Sequence, residues 1–143
     1  MTKRITIKRL TMLEHMLRNH DKIFPQTKFN IKTWCDRENS CNTAACALGS
    51  AALYKPFNKL GLYADMDHCM MPRYQGNSEY FAGASFFNIS LAESEFLFSP
   101  DEYYRAQREI STIYGYFLTT QVTPKHVADR VAWLIANYKR RSP

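Results

Sequence analysis

Nowhere does the chain carry eighteen consecutive apolar residues, so no segment reads as a membrane-spanning helix. Its first residues, Met1-Thr2-Lys3-Arg4-Ile5-Thr6, begin basic, but no apolar core of a secretion signal follows, because Lys8, Arg9 and Glu14 interrupt it. Without that signal, the four cysteines (Cys35, Cys41, Cys46 and Cys69) read as reduced thiols rather than a disulfide framework, and the expected location is the cytoplasm. Internal repeats and low-complexity linkers are missing too, which leaves one globular domain over residues 1–143. No helix-turn-helix, RRM or zinc-finger pattern occurs, and no catalytic signature.

What is present is an apolar fraction of 45% with 22% charged residues, which excludes wholesale disorder, and an aromatic content of 14%. The formal net charge of +6 is unevenly placed. Residues 1–33 carry eight Lys/Arg against two acids, 34–109 carry six against ten, and 110–143 carry five against one. The ends are basic and the middle acidic. If the terminal helices lie side by side, they form one positive face.

Periodicity predicts a first helix from about Thr6 to His20, with Leu10, Leu13 and Leu17 on one side and Pro25 ending the segment. Phe29, Ile31 and Trp34 form an extended stretch. A second helix, starting near Cys41 to Thr43 and running to Leu53, is rich in small residues and is expected at the buried centre. Residues 62–67 alternate like a short strand, and Met70, Met71, Pro72 and Tyr74 read as a second strand or an irregular loop ending at Gly76. Tyr80–Phe87 reads as a short helix. Ser90 with Glu93 forms a capping box for another, Ser99-Pro100 opens a third that runs to about Ile110, and Thr123-Pro124 opens the last. The fold class predicted is mainly α, with α+β as the variant: five or six helices around the small-residue helix and at most one small β-hairpin.

The string Trp34, then Cys41-Asn42-Thr43-Ala44-Ala45-Cys46-Ala47-Leu48-Gly49 resembles the centre of a group of small phage and bacterial proteins that has no settled activity. The similarity continues through Pro56-Phe57, Gly61-Leu62, Pro72-Arg73-Tyr74-Gln75-Gly76, Phe86-Phe87-Asn88-Ile89-Ser90 with Glu93, and Leu97-Phe98-Ser99-Pro100. It ends in Thr123-Pro124 and Val127-Ala128-Asp129-Arg130-Val131, while residues 103–122 match little. The resemblance implies a fold and an accessory role such as countering a host defence, acting in the host cytoplasm if phage-encoded. It implies no catalytic residues.

Several constellations could carry chemistry. A helix beginning near Cys41 would point backbone N–H groups at an anion, with Asn42 and Thr43 as added donors and Trp34 beside them. Arg73 could clamp a phosphate, Tyr74 could stack on a base, and Arg130 is a further anion contact. These six residues form the expected ligand site. The expected activity is non-catalytic capture of an anionic partner, a small nucleotide immune signal, by an anti-defence protein that can assemble as an oligomer. Three alternatives stand beside it: an inhibitor that binds an acidic host protein surface, a nucleic-acid-binding protein, and a cysteine hydrolase. The last would use Cys41 with His68 or His126 as base, oriented by Asp65, Asp67 or Asp129. The spacings of Cys35, Cys41, Cys46, His68 and Cys69 match no standard zinc site, so neither metal nor cofactor is expected.

Overall fold

A computed structural model describes residues 1–31, 43–103 and 122–141, with the backbone alone for residues 43–45. Thr2 opens the first helix, α1 (Lys3–Arg18), by accepting a hydrogen bond from the Ile5 N–H. The helix buries Leu10, Leu13, Met16 and Leu17 on one stripe, at spacings of three and four residues. Asn19 breaks it, and a single turn, α2 (His20–Ile23), follows before Pro25. The expected helix over Thr6–His20 is thus a helix and a separate turn.

The second predicted helix starts later than its small residues suggest. Thr43–Ala45 is a strand, β2, paired in parallel with β1 (Thr27–Phe29), Thr27 opposite Thr43. The helix, α3 (Ala47–Leu53), begins only at Ala47 because Cys46 is its cap, its sulfur accepting from the Gly49 N–H at 3.2 Å. Ala47 through Ala52 are all buried, so α3 does occupy the centre of the fold. A short turn, α4 (Lys55–Asn58), carries the fully buried Phe57.

Next comes a three-stranded antiparallel sheet in the order β3 (Tyr63–Asp65), β4 (Met71–Tyr74), β5 (Asn77–Ser78). Pro72 and Tyr74 on β4 face the core, whereas Arg73 sits opposite Tyr63 on the other face. With the parallel pair added, the strand content exceeds the single hairpin expected, and the chain is an α-rich α+β protein. Helices α5 (Glu79–Phe87) and α6 (Leu91–Phe98) then pack against each other, with α6 opened by the Ser90/Glu93 capping box. Residues 100–103 are helical; the remainder of the helix expected as far as Ile110 lies outside the described residues.

The last helix, α7 (Pro124–Arg140), is capped by Thr123 and opened by Pro124 as predicted. Val127, Val131, Leu134 and Ile135 bury its apolar stripe, chiefly against α1, in the most extensive contact between any two elements described. The pair is antiparallel: Lys3 reaches the Arg141 carbonyl at one end, and Arg18 meets Asp129 at the other. The two basic ends of the sequence therefore do lie side by side. Among the described residues no helix is long and apolar enough to cross a membrane.

Candidate functional site

Of the six residues expected to bind ligand, Trp34 and Asn42 lie outside the described residues, as does Cys41. Thr43 stands at the start of β2 and not at a helix N-terminus. That removes the anticipated helix-end anion site, since the α3 N-terminus is four residues further on and its Gly49 N–H is taken by Cys46.

The other three are held by the fold. Tyr74 is 4% exposed, with its ring edge-on to Phe86 at 5.2 Å, so it offers no stacking surface. Arg130 donates to the Phe96 carbonyl at 2.7 Å, and its guanidinium lies 3.7 Å from the Tyr103 ring centroid and 4.6 Å from that of Phe96. Burial depresses its pKa and also raises that of Tyr103. Arg73 donates through Nε to Asp65 at 2.6 Å. The sequence pattern could not show these commitments, because each depends on a partner from a different element.

The same Asp65 oxygen also meets His68 Nδ1 at 2.9 Å, so one carboxylate joins His68 and Arg73 across the β3–β4 hairpin. Burial works against ionisation of Asp65, but Arg73, the Asp67 N–H and His68 outweigh it and hold the carboxyl below its ordinary range. The hairpin closes through Cys69 and Met70, both at positive φ (54° and 59°), with the Met71 N–H donating to the His68 carbonyl at 3.0 Å. Two successive left-handed residues that are not glycine store strain and pin His68 beside Asp65. Of the two histidines considered as a base, His68 therefore has its orienting carboxylate. His126 instead caps α7, its Nδ1 accepting from the Thr123 N–H at 3.0 Å.

Among the described residues neither Cys46, which is buried and caps α3, nor the exposed Cys69 is in a disulfide. Cys35 lies outside the described residues, and among the described residues no cluster of three metal-ligating side chains occurs.

A groove of about 540 Å³ opens where the α1–α2 break meets the start of α7. Its lining includes Arg18, His20, Asp21, Lys22, Thr123 and Lys125. Three cations from three different elements thus surround one acid. Arg18 is oriented by Glu14 (2.9 Å) and Asp129 (3.1 Å), and Asp129 also draws Lys125 to 3.8 Å. The α7 N-terminus adds its positive dipole end. No sequence motif marks this groove, because the break at Asn19 that creates it carries no Gly or Pro signal.

His20 forms part of the groove wall but is only 2% exposed. Its Nε2 lies 2.9 Å from the Ser50 hydroxyl, whereas its Nδ1 is buried without a hydrogen-bond partner among the described residues. The ring packs against Phe24 and Phe29 at 5.2 and 5.6 Å. Burial in this apolar setting lowers its pKa, with Asp21 opposing weakly. The folded state thus holds the proton less tightly than the unfolded chain, whose histidine titrates near about 6.5. Stability is fully present above that pH and is lost as pH falls below it, at no more than about 1.4 kcal/mol per pH unit. Urea unfolding at pH 7.5 and 5.5 should show this loss, and His20→Gln, which keeps a nitrogen near Nε2 but does not titrate, should flatten the profile. Acid loss confined to pH below 4 would assign it to Asp65 and Glu93 instead, whose carboxyls are both held low.

Compared with known proteins, the chain matches no protein-family model, no curated protein and no solved structure, so a functional reading rests on the geometry of the groove and the hairpin.

Proposed function

We propose that the protein is a non-catalytic binder that captures a small phosphate-bearing nucleotide in the groove between α2 and the α7 N-terminus, in a phage-type accessory role against a host signal. The observation that carries this reading is the convergence of Arg18, Lys22 and Lys125 on one concavity beside a helix N-terminus. Phosphate is well suited to such a setting, because charge-assisted donors and the helix dipole both favour a compact anion. The ion pairs to Glu14 and Asp129 hold Arg18 in place before the ligand arrives, which lowers the ordering cost of binding.

Calorimetry and thermal shift against a panel of cyclic and ADP-ribose-type nucleotides test the proposal. A ligand at a hundred times its Kd adds about 2.7 kcal/mol of stability, a shift of several degrees. Lys22→Glu with Lys125→Glu should weaken that ligand at least tenfold, and the ligand should be recovered unchanged. A chemically altered ligand would point instead to a hydrolase in which His68, oriented by Asp65, serves Cys41 as base. No stabilisation by any nucleotide, together with recovery of one acidic host protein, would move the function to a protein inhibitor.

A further inference from the structure

The antiparallel α1–α7 pair presents a second feature, which shares only Arg18 and Lys125 with the groove. Arg4, Lys8, Thr11, His15 and Arg18 recur every three or four residues along α1, and all are exposed. This is a single stripe on the side opposite the buried Leu10, Leu13 and Leu17. From Arg4 to Arg18 it is about 21 Å long at 1.5 Å per residue. On α7 the corresponding stripe is Lys125, Asp129, Trp133, Ala136 and Arg140, with Lys139 at its edge. The Arg18–Asp129 contact joins the two stripes at one end, and Lys3, reaching the Arg141 carbonyl beside them, keeps the helices together at the other.

The charge on this face is not cancelled. Glu14 and Asp129 are engaged by Arg18 and Lys125. Arg4, Lys8 and Lys139 are exposed with no acidic partner among the described residues, and Arg140 meets only the Asn137 amide. The basic residues that serve the fold are different ones: Arg9 donates to the Phe86 carbonyl, Arg130 to Phe96, and Arg141 pairs with Glu93. Over the described residues, 1–31 and 122–141 together carry twelve Lys/Arg against three acids, whereas 43–103 carry three against seven. The terminal segments that supply the α1–α7 pair are therefore strongly positive, and the segment between them is negative.

We infer that the α1–α7 face binds the phosphate backbone of a nucleic-acid duplex without reading its sequence, through Arg4, Lys8, Lys139 and Arg140, none of which lines the groove. A face about 21 Å long faces roughly six base pairs of a duplex at 3.4 Å per step, and its cations follow one another at about 5–6 Å, the rise of one helical turn. The occupant matched to a long array of regularly spaced point charges is an extended, regular polyanion. A single strand would need several exposed rings to stack on, and Trp133 is the sole exposed aromatic on either stripe. Lysines and arginines with no base-reading side chain between them give affinity without specificity.

The test is fluorescence anisotropy of a 20-base-pair DNA duplex of arbitrary sequence with the full chain. The expected result is binding in 50 mM salt that weakens with a slope of about −4 in log affinity against log salt, one unit for each phosphate neutralised. The triple variant Arg4→Glu/Lys8→Glu/Arg140→Glu should weaken binding at least 100-fold while its circular dichroism stays unchanged. Lys55→Glu/Lys59→Glu, which lowers net charge at α4 and its C-cap, should alter binding less than threefold. None of the three residues in the triple variant lines the groove, so nucleotide capture should survive in it, and failure of either proposal is visible without the other. The inference is overturned by no binding at 50 mM salt, by equal weakening in both variants, or by equal affinity for polyglutamate, which would assign the face to an acidic protein.

Discussion

Phe86→Ala should destabilise the protein by about 3–5 kcal/mol, the largest single-site effect expected. Phe86 is fully buried, and its ring lies edge-on to Phe57 at 5.0 Å, Phe87 at 4.9 Å and Tyr74 at 5.2 Å. These neighbours come from α4, α5 and β4, so the cavity left by truncation cannot be closed by one side chain moving alone. The loss also strips Arg9 of the ring beneath it, since its guanidinium sits 4.5 Å from the Phe86 centroid. Urea denaturation with an unchanged m-value checks this. A loss below about 1.5 kcal/mol would mean that the cluster repacks.

Gly83→Val is the second, with an expected cost of about 3 kcal/mol from overpacking. A Cβ at Gly83 would stand 2.8 Å from the Ser94 hydroxyl, 3.1 Å from Phe98 and 3.4 Å from Leu48. Ser94 cannot swing away cheaply, because it is buried and donates to the Tyr80 carbonyl at 2.7 Å. The glycine is required here by the close approach of α5 to α6, as its backbone conformation is ordinary helix. Combining Gly83→Val with Ser94→Gly should recover part of the loss, a non-additivity that a double-mutant cycle reads directly. Additive losses would show that the clash lies elsewhere.

Local chemistry in the sequence carried much of the fold. The Ser90/Glu93 box, the Thr123-Pro124 start and the leucine stripe of α1 all depend on residues three or four apart, and each appears where its spacing placed it. The start of α3 did not, because Ala44 and Ala45 favour helix locally and the pairing of β2 with β1 overrides that preference. The candidate sites were less legible for the same reason. Arg73 and Arg130 look like free anion contacts in a linear chain, yet the first answers to Asp65 eight residues away and the second to Phe96 thirty-four away. Nothing next to His20 in the sequence announces that Ser50 will meet it and that its second nitrogen will have no hydrogen-bond partner among the described residues. The joining of the basic ends was legible as a condition, and the α1–α7 contact meets it.

That contact also governs when the protein becomes whole. Arg18 and Asp129 are 111 positions apart, and the leucine stripe of α1 has its main cover on α7. During synthesis at 5–20 residues per second, α1 therefore leaves the ribosome roughly 5–20 s before its partner exists. Through that interval a helix with Leu10, Leu13 and Leu17 along one side is without its principal shield. The nascent chain is then a natural client for chaperones, and its final cooperative step waits for the last helix to arrive.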